Sequence, residues 1–245
     1  MTIEIVVYNI ESALMAKEGE ADRLELCDNP GEGGTTPSLG MIQRVRQQVN
    51  LDLFVMIRPR GGDFLYSHDE FEIMKADIMT AKRLGADGVV FGILTPDGRI
   101  DTARCTELVQ LAKPLQVTCH RAIDMTNNIL QAVEDCIGCG FDRILTSGGK
   151  LKAVDGIENI ALLQRQAKGR IKIMAGSGVN EDNAKMIVAK TGITEIHFSA
   201  VDSRESGMTF RNEAIAGMGS AQNSEFVLRT VNPDVIRRIR KSITA

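Results

Sequence analysis

The chain has 245 residues, 43% of them hydrophobic and 25% charged, with a formal net charge of −3. Aliphatic content at this level excludes a disordered chain, and there is no run of about 18 apolar residues to span a bilayer. The charge balance offers no basic field for a phosphodiester backbone, and eight Phe, two Tyr and no Trp offer no base-stacking platform, so neither membrane nor nucleic acid is an expected partner. The opening segment Met1–Ile10 lacks the basic region and small-residue cleavage site of a secretory signal. Five cysteines, an odd number, then read as reduced thiols in a cytoplasm and exclude a disulfide framework.

In chain order, short β-rich apolar runs fall at Ile3–Asn9, Arg23–Cys27, Leu53–Arg58, Gly88–Leu94, Leu115–His120, Arg143–Ser147, Lys172–Ala175 and Glu195–Ala200. They alternate with helix-period segments at a spacing of roughly 27 residues, close to the ~30 of a βαβ unit. The helices carry end signals. Ser38 precedes the stripe Ile42, Val45 and Val49; Ser67 and Glu70 form a capping box before Phe71, Met74, Ile78 and Ala81; Gly85 stands where that helix ends; Asn180 precedes Ala184, Ile187 and Val188. Eight such units predict an α/β fold, a single parallel eight-stranded TIM (β/α)8 barrel over residues 1–245, with an open doubly wound sheet as the alternative. After the eighth run comes Asp202–Val231, a polar, Gly-dotted stretch predicted to be a lid or an oligomer contact. Asn232-Pro233-Asp234 then opens a final helix with the stripe Val235, Ile236 and Ile239, so residues 202–245 form a C-terminal loop and helix extension.

In a barrel, chemistry belongs at the C-terminal ends of strands, where this sequence is polar. Side-chain alternation points Glu4, Val6 and Tyr8 inward, with Glu25, Cys27, Arg58, Gln116, Thr118, His120, Glu195, His197 and Ser199. Carboxylates, an Arg and imidazoles in a lumen are costly unless paired. One reading is a buried network of Glu4, Glu25, Arg58 and Glu195 that holds the register. The other assigns the upper layer to function, with Glu25, His120 and His197 as catalytic candidates. The glycine-rich strand ends Thr146–Gly149 and Ala175–Gly178 offer Ser147, Gly148, Gly176 and Gly178 to a phosphate, or are merely tight turns. Arg58 and Arg60, with Arg121 and Asp124 nearby in sequence to His120, complete a candidate anion site; the alternative bonds the arginine pair to local carbonyls and to Asp63 or Glu25. Cys136 and Cys139 have CxxC spacing but end a helical stripe, where packing explains them better than a metal. Met41, Met74 and Met79 fall on helical segments and read as core filler. Cys27 is the better-placed thiol.

The segments ADRLELC (Ala21–Cys27), EGGTTPS (Glu32–Ser38), IRPRGGDF (Ile57–Phe64), CHRAID (Cys119–Asp124), RILTSG (Arg143–Gly148) and MAGSGV (Met174–Val179) occur in the order of the motifs of the CutC copper-homeostasis family, which the chain resembles as far as Arg211-Asn212. The resemblance implies a cytoplasmic TIM-barrel protein, often a homo-oligomer (dimer or tetramer), associated with copper. It points to Cys27 as a Cu(I) ligand, with a second ligand needed from Cys119, a Met, a His or another subunit. No organic cofactor is indicated. Two functions follow: a copper-binding protein, or an enzyme of lyase, isomerase or hydrolase type acting on a small anionic or phosphorylated metabolite. In the second, Arg58 and Arg60 hold the anion while His120 and Glu25 exchange protons.

Overall fold

The computed structural model describes residues 1–212, 214 and 225–244. Eight strands close a parallel barrel in sequence order: β1 (Thr2–Val7), β2 (Arg23–Leu26), β3 (Asp52–Met56), β4 (Gly88–Phe91), β5 (Gln116–Cys119), β6 (Arg143–Thr146), β7 (Lys172–Ala175) and β8 (Glu195–Phe198). Each lies within or against a predicted run. Seven helices cross between them: α1 (Ile10–Glu18), α2 (Leu39–Gln48), α3 (His68–Arg83), α4 (Thr102–Ala112), α5 (Ile129–Cys139), α6 (Ile157–Ala167) and α7 (Ala184–Thr191). The Ser67–Glu70 capping box is formed in both directions, and Ser38 caps α2 through the amide of Met41. α7 starts one turn later than expected, at Ala184, because Asn180 instead opens a turn that Asn183 closes.

Strand alternation divides the core into two layers. Ile3, Ile5 and Val7 of β1, with Leu24 and Leu26 of β2 and Leu53 and Val55 of β3, face the helices in the main hydrophobic layer. Each fully buried aliphatic side chain there contributes roughly 1.5–3 kcal/mol of transfer free energy. Inside the barrel Val6, Cys27, Phe54, Met56 and Val90 form a smaller cluster, with Tyr8 packed on it. Below that cluster lies a network of charges. Arg23 donates to Glu4 at 2.5 Å and to Glu195 at 2.6 Å, and Arg143 also bonds Glu195. Both guanidiniums lie over the Phe54 ring, 4.8 and 5.2 Å from its centroid. A buried network therefore exists around Glu4 and Glu195 with Arg23 and Arg143 as its cations, but of the four residues expected in it Arg58 takes no part and Glu25 contacts neither arginine. Register decides this: Glu4 pairs with Arg23 on one side and with His197 on the other.

Asp202–Val231 is not simply a loop. Its ends form an antiparallel ribbon, β9 (Val201–Glu205) and β10 (Val227–Val231), while residues 213 and 215–224 lie outside the described residues. The ribbon escaped the sequence reading because its strands are short and β9 is mostly charged. It is fastened to α1, where Arg204 bonds Glu11 at 2.8 Å and Asn9 donates to the Arg229 carbonyl at 3.0 Å. Helix α8 (Pro233–Thr244) then buries Ile236 and Ile239 against the barrel. Among the described residues no helix is long and apolar enough to cross a membrane.

Candidate active site

A cavity of about 260 Å³ opens at the C-terminal ends of the strands, bordered by Tyr8, Glu25, Arg58, His120, Arg121 and His197 and walled by Val6, Met56, Phe64 and Leu145. A larger open depression, about 910 Å³, lies on the outer surface beside α6, and none of the strand-end candidates lines it. The three catalytic candidates thus meet in the smaller cavity.

β1 and β8 bring Glu4 beneath His197, whose Nδ1 lies 2.7 Å from Glu4 Oε1. On the other side of the ring, His197 Nε2 faces Glu25 Oε2 at 3.9 Å. Burial alone would raise the Glu4 carboxyl, but the hydrogen bond with His197 and the charge of Arg23 bring it down to about 2. Glu25 has no such cation in contact, and burial pushes its carboxyl up to about 7 despite the attraction of His197. For His197, burial disfavours the imidazolium, yet the charge of Glu25 and the bond and charge of Glu4 outweigh it and raise the ring above its ordinary value. Two carboxylates on either side of one imidazole are thereby driven apart, one held ionised and one carrying a proton near neutrality. Glu25 Oε1 is buried and makes no hydrogen bond to the protein.

His120 behaves differently. Its Nδ1 accepts the Ala122 amide at 3.2 Å, so the neutral ring carries its proton on Nε2, and that atom too is buried without a protein partner. Burial, reinforced by the charge of Arg58, lowers the ring to about 3. Held in this way, His120 offers the cavity an N–H donor at Nε2. The ring fits because residue 92 is a glycine; a Cβ there would stand 2.9 Å from His120 Nδ1. Phe64 covers it with centroids 4.8 Å apart.

The arginines of the expected anion clamp are engaged locally. Arg58 donates to the carbonyls of Glu32, Gly34 and Gly62 at 2.6 to 2.8 Å, tying the loops after β2 and β3 together at the cavity edge. Arg60 turns away from the cavity to Glu70 at 2.6 Å and Asp63 at 3.1 Å. The β6 turn does form an anion nest, but the chain fills it itself. The Asp124 carboxylate accepts from Ser147 N at 3.0 Å, Gly149 N at 2.9 Å, Ser147 Oγ at 3.0 Å, Thr146 Oγ1 at 2.5 Å and Arg121 Nε at 2.9 Å. Gly148, at φ +73°, supplies the turn. Arg121 also reaches Ser147 Oγ and Ser177 Oγ, and remains partly exposed at the cavity edge. Gly176 serves packing, since a Cβ would meet Leu145 at 2.6 Å and His197 at 3.2 Å; a Cβ on Gly178 would meet the side chain of Lys152.

Of the five thiols, only Cys27 enters the barrel; Cys105, Cys119, Cys136 and Cys139 are buried in the layer between sheet and helices. Cys119 points away from the cavity, so it is no second ligand beside Cys27. The Cys27 thiol lies 3.6 Å from Glu25 Oε2, and burial together with that carboxylate pushes it well above its ordinary value. Sequence reasoning assigned Glu4 to a structural layer and missed its place behind His197. Parity marked it as inward, but only closure of β8 onto β1 shows what it faces.

The CutC family model matches residues 1–202. The chain belongs to the CutC family. A copper homeostasis protein cutC homolog of Homo sapiens is 48% identical over 237 residues, 97% of this chain and 87% of the relative. A family protein CutC of Glaesserella parasuis is 46% identical over 244 residues, covering 100% and 99%. Among solved structures, a copper homeostasis protein CutC from Streptococcus agalactiae superposes with a TM-score of 0.77 at 34% identity, over 80% of this chain and 97% of that one. In this CutC-family chain the IRPRGGDF segment is the carbonyl-binding loop around Arg58. The HRAID segment supplies the neutral imidazole and the Asp124 clamp that fixes it.

Proposed function

We propose that this CutC-family chain is an enzyme that performs acid–base chemistry on a small anionic metabolite in the barrel mouth, within the copper homeostasis for which its relatives are named. One observation carries the reading: three buried polar atoms, Glu25 Oε1, His120 Nε2 and Arg58 Nε, lack protein partners and belong to residues bordering one cavity. Buried polar groups in proteins are as a rule hydrogen-bonded, so an acceptor and donors left over around one cavity call for a ligand that bonds them. At about 260 Å³ the space suits a molecule smaller than a typical drug-sized ligand.

The roles follow from the geometry. His120 Nε2–H donates to a carbonyl or hydroxyl oxygen of the substrate and stabilises negative charge growing there, without itself taking a proton. Glu25 and His197 exchange the proton, and Glu4 holds the His197 ring by Nδ1. Arg121, at the edge, receives the anionic end. An isomerase or lyase working beside a carbonyl makes use of all five groups. The reading includes a reducing, cytoplasmic setting, consistent with five free thiols, and a homo-oligomer. It is tested by ligand-observed NMR with a library of small carboxylate and phosphate metabolites. Binding to the wild type that is lost in Glu25→Gln and His120→Ala is expected; ligands bound equally by all three proteins would contradict it.

Cu(I) on Cys27 is the second reading. Softness favours a thiolate, and the Met56 methyl and Cys27 sulfur both border Gly34. Burial and Glu25 oppose ionisation of that thiol, and the other described cysteines do not converge on it. The residues present make a poor Cu(I) cage.

A further inference from the structure

We propose that the barrel mouth binds a borderline divalent cation of the Zn²⁺ class through His197 Nε2 and the Glu25 carboxylate, with Glu4 as the carboxylate behind the imidazole. Donor atoms of Glu4, Glu25 and His197 all lie within 4.8 Å of one another, and this is the one such cluster of three among the described residues. The Nε2 to Oε2 separation of 3.9 Å is about 0.6 Å wider than the edge of a tetrahedron with ligand bonds of about 2 Å, so the two side chains close slightly on a shared ion. A ligating histidine characteristically gives its other ring N–H to a carboxylate, and the 2.7 Å contact of His197 Nδ1 with Glu4 is that arrangement.

An independent observation points the same way. Glu25 is 3% exposed, and its Oε1 has no partner in the protein. A cation bridging Glu25 and His197 satisfies that oxygen and relieves the repulsion between two carboxylates on either side of one ring. Its remaining coordination positions open into the cavity, as in catalytic rather than structural sites.

The donor set decides the class of ion. Imidazole with carboxylate suits borderline first-row divalent ions; Cu(I) prefers sulfur, and Ca²⁺ or Mg²⁺ needs more oxygen ligands than the mouth supplies. The site therefore differs from Cys27 in chemistry even though Cys27 Sγ is only 3.6 Å from Glu25 Oε2. The inference rests on the reading of the mouth as the working site and gives Glu25 and His197 a different part in it, as ligands of the cation in place of the pair that exchanges the proton.

The test is titration of Zn²⁺ alone into dialysed full-length protein against a chromophoric chelator. One ion per chain is expected, weakened by about tenfold or more in Glu25→Gln and in His197→Gln and unchanged in Cys27→Ser. Equal affinity in wild type, Glu25→Gln and His197→Gln, or loss confined to Cys27→Ser, overturns the proposal. X-ray absorption at the zinc edge on the wild type needs no variant to fold: nitrogen and oxygen ligands alone are expected, and sulfur overturns it. Metabolite binding by zinc-free wild type separates the two readings. If it persists while no site-specific zinc binding is found, the cation site alone falls.

Discussion

At the scale of single residues, the two strand-end histidines have opposite fates for a physical reason. His120 is surrounded by a backbone amide, an arginine and an aromatic ring; His197 lies between two carboxylates. His120 should show no titration between pH 5 and 8 in ring-nitrogen NMR and should remain the Nε2–H tautomer throughout. Its folded value of about 3 lies below the ordinary 6.5, so protons bind the unfolded chain more readily. The stability tied to its neutral state is complete above about pH 6.5 and is lost as pH falls toward 3; Glu4 adds a loss in the same direction between its ordinary 4.5 and about 2. Arg23 is the other decisive residue. Arg23→Met removes the guanidinium that Glu4 and Glu195 share, leaving Glu4 with His197 and Glu195 with Arg143, and should cost about 3 kcal/mol in denaturant unfolding. Arg238→Met, which breaks an exposed pair with Glu181, should leave the unfolding midpoint nearly unchanged. Parity alone shows Glu4, Glu25 and His197 as inward. It cannot show that Arg23 neutralises Glu4, because that depends on the stagger with which neighbouring strands align.

Elements were legible to the degree that their signals are local. The Ser67–Glu70 box and the alternation in β1 depend on residues a few positions apart, and both appear as read. The β9–β10 ribbon pairs residues 22 to 30 positions apart through short charged strands, a pairing that leaves no periodic trace. The same limit hid the use of the β6 turn. Its glycine pattern announces an anion nest, but the anion is Asp124, from the 3₁₀ turn Arg121–Met125 after β5. That carboxylate pins the turn carrying Arg121 to β6, beside His120. Asp124→Ala leaves amides and hydroxyls without their acceptor and should destabilise the fold by about 2–3 kcal/mol while weakening ligand binding at the mouth, both measurable on one preparation. Gly176→Ala pushes a methyl into Leu145 and toward His197 and should cost about 1–3 kcal/mol by overpacking, with a shift of the His197 ring resonances.

At the scale of the whole molecule, the barrel gathers onto one end residues that lie as much as 193 positions apart in sequence, as with Glu4 and His197. The fold was legible because a repeating βα pattern needs no long-range information, and the family because several motifs occur in order. The chemistry was legible as a set of residues but not as a set of roles. Copper handling, as named for the relatives, and the acid–base chemistry proposed for the mouth are not exclusive, and two imidazoles and a carboxyl around one cavity support the second. Deuterium exchange tests that most directly. Metabolites that bind the wild type are incubated with the protein in heavy water, and their carbon-bound hydrogens are followed by NMR. Exchange next to a carbonyl, catalysed by the wild type and lost in Glu25→Gln, is the predicted result. Tight binding with no exchange in any ligand, or exchange unaffected by Glu25→Gln, would contradict it.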